Sequence, residues 1–195
     1  MSTARDRSAA RRQLLLLASV FLVPLGAAAW LYFSSGWRPA PGMHGELIDP
    51  PRPLPPASFV LRDGGTAPRD VLRGRWFLVC LANGSCDDRC IAAMAELAQL
   101  RLALDKDAAR VRRVILHGGD CCRPDSLAAD ADLLVLGATG ADGAAFRALF
   151  PEAAGGARIY IVDPHGNLVM SYPAPGSARG LLEDLERLLR LSRIG

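Results

Sequence analysis

The feature that most constrains the fold is a continuous apolar run at residues 75–81, RWFLVCL, which ends at Asn83-Gly84-Ser85. Such a run, without alternation of polar residues, is typical of a strand buried on both faces of a sheet. After the break, apolar residues recur at every third or fourth position, which predicts a helix from Cys90 to about Lys106. These positions are Ile91, Met94, Leu97, Leu100 and Leu104. A central strand therefore leads directly into a helix.

The segments around this unit have a mixed pattern. Further strands are predicted at 58–62, 111–116, 133–136, 158–162 and 168–172. The last two flank DPHGN, a tight-turn composition, and so form an antiparallel hairpin. Helices are predicted at 143–150 and after Ser177, which we expect to cap the last helix. A βαβ unit followed by a hairpin and a terminal helix is the α/β arrangement of the thioredoxin-like fold.

The N-terminal part of the chain has the composition of a membrane anchor. Residues 14–33 carry no charge, and a helix of that length spans about 30 Å, one hydrocarbon core. Arginines are concentrated in residues 1–13, which predicts a cytoplasmic N-terminus. The alternative is a cleaved signal peptide, since Ala27-Ala28-Ala29 offers small residues. We favour a single uncleaved transmembrane helix, because the apolar run exceeds the usual signal core of about 7–15 residues.

Residues 34–57 are rich in proline and glycine, which predicts a semi-rigid spacer between the membrane and a globular domain at 58–195. His44 falls in this spacer, where we expect it to be solvated. In both interpretations of the N-terminus the domain lies outside the cytoplasm, where disulfides persist. The formal net charge of +3 is too small to indicate a nucleic-acid partner.

Two of the five cysteines, Cys86 and Cys90, lie at the junction of the central strand and its helix. A helix N-terminus favours the thiolate, which is both the nucleophile and the metal ligand. The i, i+4 spacing brings both sulfurs to one side, so the pair suits thiol redox chemistry or a metal. A structural disulfide that closes a small ring is the alternative. Cys80 lies within the buried strand and is predicted to be a small core residue.

A second group of candidate side chains follows the strand at 111–116. His117, Cys121 and Cys122 come directly after it, and parallel strands end at the same edge of a sheet. These residues either approach Cys86 and Cys90 or form a solvent loop with incidental thiols. His165 is predicted to be a turn residue, about 15 Å away at the opposite edge.

The sequence resembles the Sco/SenC family, and in particular a divergent bacterial branch of it. The resemblance rests on the single anchor, the strand–CxxxC–helix at 75–90, LVLGATGADGAAFRALF before the hairpin, and YIVDPHGNLV within it. It implies a thioredoxin-like domain that is held in the periplasm by the bacterial inner membrane and handles copper in cytochrome c oxidase assembly. The implied partners are an oxidase subunit or another assembly factor.

The family's copper site also needs a histidine shortly before the hairpin. The corresponding stretch here, EAAGGARIY, has none, and the position falls near Gly155. His117 is the only histidine at the correct edge, so the candidate ligands are Cys86, Cys90 and His117. Two thiolates can hold Cu(I), whereas Cu(II) prefers nitrogen or oxygen in addition.

Three functions follow from this pattern. The first is an oxidase-assembly factor that acts through Cys86 and Cys90 by thiol redox chemistry or Cu(I) handling. The second is a general periplasmic thiol–disulfide oxidoreductase, an enzyme in which Cys86 attacks and Cys90 resolves. The third is a binding module with a structural disulfide. The sequence favours them in that order and leaves open whether the protein is an enzyme.

Overall fold

The computed structural model describes residues 13, 16–27, 29–30, 42–82, 88–119, 132–151, 158–192 and 194. The chain divides into two compact units, Met1–Gly42 and Met43–Gly195. In the first unit, residues 16–27 and 29–30 are helical, and large apolar side chains such as Phe21 are exposed. Among the described residues, no helix reaches the length and hydropathy that a membrane span requires. The transmembrane helix predicted at 14–33 lies partly outside the described residues.

The second unit is built on one seven-stranded mixed sheet with the order β1-β7-β6-β3-β4-β5-β2. Strands β3, β4 and β5 are parallel, and the other pairs are antiparallel. The strands are β1 (Glu46–Pro53), β2 (Val60–Leu61), β3 (Trp76–Ala82), β4 (Val111–His117), β5 (Leu133–Gly137), β6 (Arg158–Val162) and β7 (Asn167–Pro173). The helices are α1 (Asp88–Ala103), α2 (Gly140–Arg147) and α3 (Ala178–Leu191), with a 3-10 helix at Asp105–Arg110.

Strand β3 lies at the centre of the sheet and contributes to a hydrophobic core on both faces. Because side chains alternate along a strand, Leu78 and Cys80 face the cluster that includes α1 and α3. Phe77 and Val79 face the second cluster, formed with α2 and the chain before β3. The prediction of a strand buried on both faces is confirmed, since six of its seven residues are buried.

The predicted strands at 111–116, 133–136, 158–162 and 168–172 are confirmed within one residue at each end. The predicted helix at 143–150 lies three residues earlier, as α2. The long helix begins at Asp88 and ends at Ala103, before Asp105 adopts a positive φ of 47°. Ser177 precedes α3 but makes no side-chain cap, because its hydroxyl donates to the carbonyl oxygen of Pro173 at 2.6 Å.

The structure differs from the sequence prediction over the proline-rich stretch. The compact unit begins at Met43, and Glu46–Pro53 forms the edge strand β1, although we predicted a spacer through residue 57. An edge strand tolerates proline, because only one side of its backbone pairs with the sheet. The pairing of β1 with β7 shifts register between Leu47 and Arg52, around the prolines at 50 and 51.

Candidate functional site

The carboxyl ends of β3, β4 and β5 meet at one edge of the sheet. Ala82, the last residue of β3, pairs with His117 of β4, which in turn pairs with Gly137 of β5. Helix α1 begins six residues after the end of β3. Its first turn is the first part of the chain that the structure describes after β3. Cys90 is the third residue of α1 and is only 3% exposed. The predicted position of Cys90, in the first turn of the helix after the central strand, is confirmed.

The sulfur of Cys90 contacts a second sulfur from the central strand. The Sγ atoms of Cys80 and Cys90 lie 3.9 Å apart, close enough for an S–H of either residue to be shared with the other. Cys80 is fully buried, which confirms its predicted place in the core. The contact arises because Cys80 is on the face of β3 that α1 covers. The sequence did not predict it, since the two residues are ten apart and meet only through the packing of α1 on β3.

Cys86 lies outside the described residues, as do Cys121 and Cys122. The pairing of Cys86 with Cys90 and the approach of the second cysteine pair therefore stay predictions. Among the residues that the structure describes, no cluster of three or more histidine, cysteine, aspartate or glutamate side chains could hold a metal ion.

His117 lies at the predicted edge of the sheet and on the same face as Cys80. Its Nδ1 is 2.5 Å from the carbonyl oxygen of Gly119. Because a carbonyl oxygen can only accept, Nδ1 of the neutral ring carries the proton and Nε2 keeps its lone pair. The ring packs beside Gly137, where a Cβ would be 3.4 Å from Cε1. In its neutral form His117 can therefore present Nε2 as a ligand atom.

Of the other two histidines, one lies at the opposite end of the sheet and the other precedes the edge strand β1. His165 is an exposed residue of the β6–β7 turn, and its backbone N–H donates to Asp163 at 2.9 Å. Val162, at the start of that turn, pairs with Phe77 near the beginning of β3, so the predicted position at the opposite edge is confirmed. His44 was predicted to be solvated, and its side chain is exposed as predicted. It lies in the compact unit and not in a spacer, and its Nε2 is 2.9 Å from Glu183 of α3.

Arg147, at the end of α2, is a residue near this edge that sequence reasoning missed. Its guanidinium lies directly over Gly118, where a Cβ would be 1.4 Å from Nη1. Its Nε is buried and has no hydrogen-bond partner among the described residues. In the sequence, only the glycine that follows His117 could have indicated this contact, because glycine permits such close approach of another group.

A comparison with protein families gives one match. The profile of the "transmembrane-like, thioredoxin-like, C-terminal domain" family matches residues 76–192, more than half of the 195-residue chain. The chain belongs to this thioredoxin-like family. The mixed α/β order predicted from the sequence is therefore confirmed as thioredoxin-like. A search of curated protein sequences finds no match.

Solved structures similar to this thioredoxin-like chain include several Sco family proteins. One is BsSco, described as a Sco family cytochrome c oxidase assembly protein with a disulfide switch; the identity is 18%, the TM-score is 0.54, and the alignment covers 75% of this chain and 99% of BsSco. Copper-bound ScoI from Arabidopsis thaliana is 16% identical with a TM-score of 0.55, covering 73% of this chain and 98% of ScoI.

A third similar structure comes from outside the Sco family. The thioredoxin domain of a thiol-disulfide oxidoreductase from Bacteroides vulgatus is 15% identical with a TM-score of 0.51, and the alignment covers 69% of this chain and 94% of that domain. At these identities the three likenesses establish the fold, and the similar structures include Sco proteins, the family that the sequence resembles.

Proposed function

We propose that this protein is a membrane-anchored cytochrome c oxidase assembly factor that acts outside the cytoplasm through Cys86 and Cys90, by thiol redox chemistry or Cu(I) handling. The observation that carries the proposal is the position of Cys90. It is buried in the first turn of α1, directly after the central strand, with Cys86 four residues earlier in the sequence. In the sequence, both cysteines of the CxxxC motif fall at this junction.

The chemistry of the donors fits Cu(I). Thiolates are soft ligands that select this ion, and the helix N-terminus favours the ionised form of Cys90. His117 has an Nε2 lone pair at the same edge of the sheet, which makes it the candidate nitrogen ligand. Copper is the cargo in this proposal, and the residues would bind it and pass it to a partner.

Thiol exchange needs only the two cysteines. The Cys86 thiolate attacks a disulfide of the partner, and one partner sulfur leaves as a thiolate that takes up a proton. Cys90 then attacks the Cys86 sulfur, which releases the second partner thiol and leaves a Cys86–Cys90 disulfide. The partner disulfide is reduced by two electrons and the two cysteines are oxidised by two. A buried Cys90 suits the resolving role, because it reacts with the neighbouring Cys86 and not with solvent reagents.

The anchor, the periplasmic location and the oxidase partner are supported by four observations. Residues 14–33 are uncharged, and the described helical residues in this stretch expose large apolar side chains. The family is described as transmembrane-like. BsSco, which shares the fold, is described as an oxidase assembly protein. A bacterial inner-membrane anchor with its N-terminus in the cytoplasm fits the arginines within residues 1–13.

The second candidate is a general periplasmic thiol–disulfide oxidoreductase, favoured by the fold shared with the Bacteroides vulgatus enzyme. The two candidates differ in whether Cu(I) binds. Both differ from a structural disulfide in potential, since structural disulfides typically lie below about −300 mV.

The test uses the purified full chain in detergent. Cu(I) affinity is measured by competition with a chromogenic chelator for the reduced protein and for Cys86→Ser, Cys90→Ser and His117→Ala, with His165→Ala as the control histidine. The potential of the Cys86–Cys90 couple is measured in glutathione buffers. One Cu(I) per chain, lost with either cysteine variant and kept in His165→Ala, supports copper handling. If the protein does not bind Cu(I) and its disulfide is readily reduced, the result supports thiol exchange alone. If it does not bind Cu(I) and the potential lies below about −300 mV, both candidate functions are overturned.

A further inference from the structure

Two cysteines from different elements bring their sulfurs into direct contact in the core. Cys80 lies on the central strand β3, Cys90 lies in the first turn of α1, and their Sγ atoms are 3.9 Å apart. A disulfide bond needs these atoms about 2.0 Å apart, so each sulfur would have to move by about 1 Å toward the other. Because the end of a helix shifts more easily than a central strand, a movement of this size is accessible to the pair.

The surroundings of the two sulfurs favour an uncharged product. Both cysteines belong to the apolar cluster between the sheet and helices α1 and α3, together with Leu78, Ala93 and Met94. A charged group is costly in such a place, and so is a polar group without a hydrogen-bond partner. A disulfide carries no charge and has no hydrogen to donate. The core therefore accommodates the oxidised pair as a neutral apolar group, in the same position as the two thiols.

The two sulfurs differ in how a reagent can reach them. Cys80 has no exposed surface, whereas Cys90 is 3% exposed at the beginning of α1. Helix ends open at lower free energy than central strands, so a small reagent reaches Cys90 first. The N-terminus of a helix also favours the thiolate, which is the reactive form of the side chain. Cys90 is therefore the sulfur that meets an oxidant, and Cys80 is the sulfur that meets Cys90.

We propose that Cys80 and Cys90 are a redox-sensitive pair that hydrogen peroxide or another small hydroperoxide converts into a disulfide. The Cys90 thiolate attacks one peroxide oxygen, the O–O bond breaks, and Cys90 becomes a sulfenic acid while hydroxide leaves and takes up a proton. The Cys80 sulfur then attacks the Cys90 sulfur, the S–O bond breaks, and the hydroxyl leaves with the Cys80 proton as water. The two thiols lose two electrons, and hydrogen peroxide gains two and becomes two water molecules.

The bond between Cys80 and Cys90 ties the first turn of α1 to the central strand and withdraws Cys90 from the CxxxC motif. Its formation does not depend on the proposed function, but its consequence does. Neither Cu(I) handling nor thiol exchange can use Cys90 while that sulfur is bonded to Cys80. Oxidation therefore switches the site off, and a thiol reductant restores it. The bond also protects Cys90 from irreversible oxidation to the sulfinic acid.

The test uses the full chain in detergent with Cys86→Ser, Cys121→Ser and Cys122→Ser, so that Cys80 and Cys90 are the only cysteines left. The folded, reduced protein is treated with hydrogen peroxide, unfolded in urea and alkylated with iodoacetamide, and mass spectrometry counts the remaining thiols. Cys80→Ala in the same background removes the second sulfur. Cys90→Ala is the matched control that leaves only the fully buried thiol. Far-UV circular dichroism checks that each protein is folded before oxidation.

We expect the parent of this series to lose both thiols within one chain, with a mass about 2 Da below that of the reduced chain, and dithiothreitol should restore both alkylation sites. Cys80→Ala should instead accumulate a sulfenic acid that dimedone traps, and Cys90→Ala should keep its thiol. Two free thiols in the parent, a sulfinic acid on Cys90 beside a free Cys80, or a bond formed only between two chains would overturn the inference. The thiol count of the parent decides the question even if a core variant does not fold.

Discussion

The buried carboxylate of Asp184 accepts a hydrogen bond from the hydroxyl of Tyr172 at 2.9 Å. The same oxygen accepts the backbone N–H groups of His44 and Gly45, at 2.6 and 3.0 Å. Asp184 lies on α3, Tyr172 on β7, and His44 and Gly45 directly precede the edge strand β1. One carboxylate therefore connects the last helix, the sheet and the start of the compact unit.

Replacing Tyr172 with phenylalanine should destabilise this connection. The change leaves a buried carboxylate with one hydrogen bond fewer, and a hydrogen bond to a charged group contributes about 1.5–3 kcal/mol. We expect the free energy of unfolding to fall by that amount in urea denaturation. Tyr160→Phe is the control, because the Tyr160 hydroxyl donates to the neutral carbonyl of Pro151. Its removal should lower the free energy of unfolding by about 0.5–1.5 kcal/mol. Equal losses in the two variants would contradict a special role for the carboxylate.

Tyr172 should also make the domain sensitive to alkaline pH. Its pKa is raised above the ordinary value of 10.0, first by burial and then by the hydrogen bond to Asp184. A group whose pKa is raised in the folded state contributes stability that is fully present below the unfolded pKa and is lost as the pH rises through the folded pKa. We therefore expect the free energy of unfolding to decrease above a pH of about 10.

The measurement for this prediction is urea denaturation between neutral and strongly alkaline pH, with Tyr172→Phe as the control. The phenylalanine variant lacks the titrating group and should lose less stability over the alkaline range than the parent. Burial raises the pKa of both Tyr160 and Tyr172, so phenolate absorbance should show two tyrosines that titrate late in the parent and one in Tyr172→Phe. A parent and variant with parallel pH profiles would refute the assignment to Tyr172.

The two described cysteines should differ from each other in reactivity. Cys80 is fully buried in the central strand, whereas Cys90 is 3% exposed near the end of a helix. Helix ends open at lower free energy than central strands, so Cys90 should be alkylated through local opening and Cys80 only through global unfolding. Mass spectrometry of the reduced protein in iodoacetamide, with and without urea, measures both rates. Alkylation of Cys80 as fast as Cys90 in the absence of urea would be inconsistent with the packing of β3.

Most of the sheet was predictable because its signals are local. The uniform apolar run at 75–81 and the turn composition DPHGN identify the central strand and the hairpin without any tertiary information. Strand β1 was not predictable in the same way. Its prolines cannot donate hydrogen bonds to a neighbouring strand, so the local sequence indicates a spacer. The segment forms an edge strand because β7 offers it one side to pair with, and an edge strand pairs on one side only.

The candidate site was predictable in position but not in composition. The strand–helix junction places Cys90 without reference to other parts of the chain, and parallel pairing of β3 with β4 brings His117 to the same edge. The Cys80–Cys90 contact and the guanidinium of Arg147 over Gly118 depend on how α1 and α2 pack on the sheet. Neither contact has a sequence spacing that a local pattern could reveal.

The packing of α2 on the sheet edge gives a last prediction, at Gly143. This residue is buried in the helix, and a Cβ there would be 2.2 Å from the backbone carbonyl carbon of Ala138. Helix propensity alone would favour Gly143→Ala by about 1 kcal/mol. Because the contact is with backbone that cannot rotate away, we expect a net loss of about 1–3 kcal/mol, as in other overpacked sites.

The matched control for Gly143→Ala is Ala144→Gly, on the exposed side of the same helix. It should cost only the intrinsic helix penalty of glycine, about 1 kcal/mol. Urea denaturation gives both values. The Gly143 variant should in addition shift the backbone amide resonances of Gly118 and His117, since Arg147 at the end of α2 lies over Gly118. If Gly143→Ala raised the free energy of unfolding, α2 could move away from Ala138 without cost. The packing of α2 would then not hold the Arg147 guanidinium over Gly118.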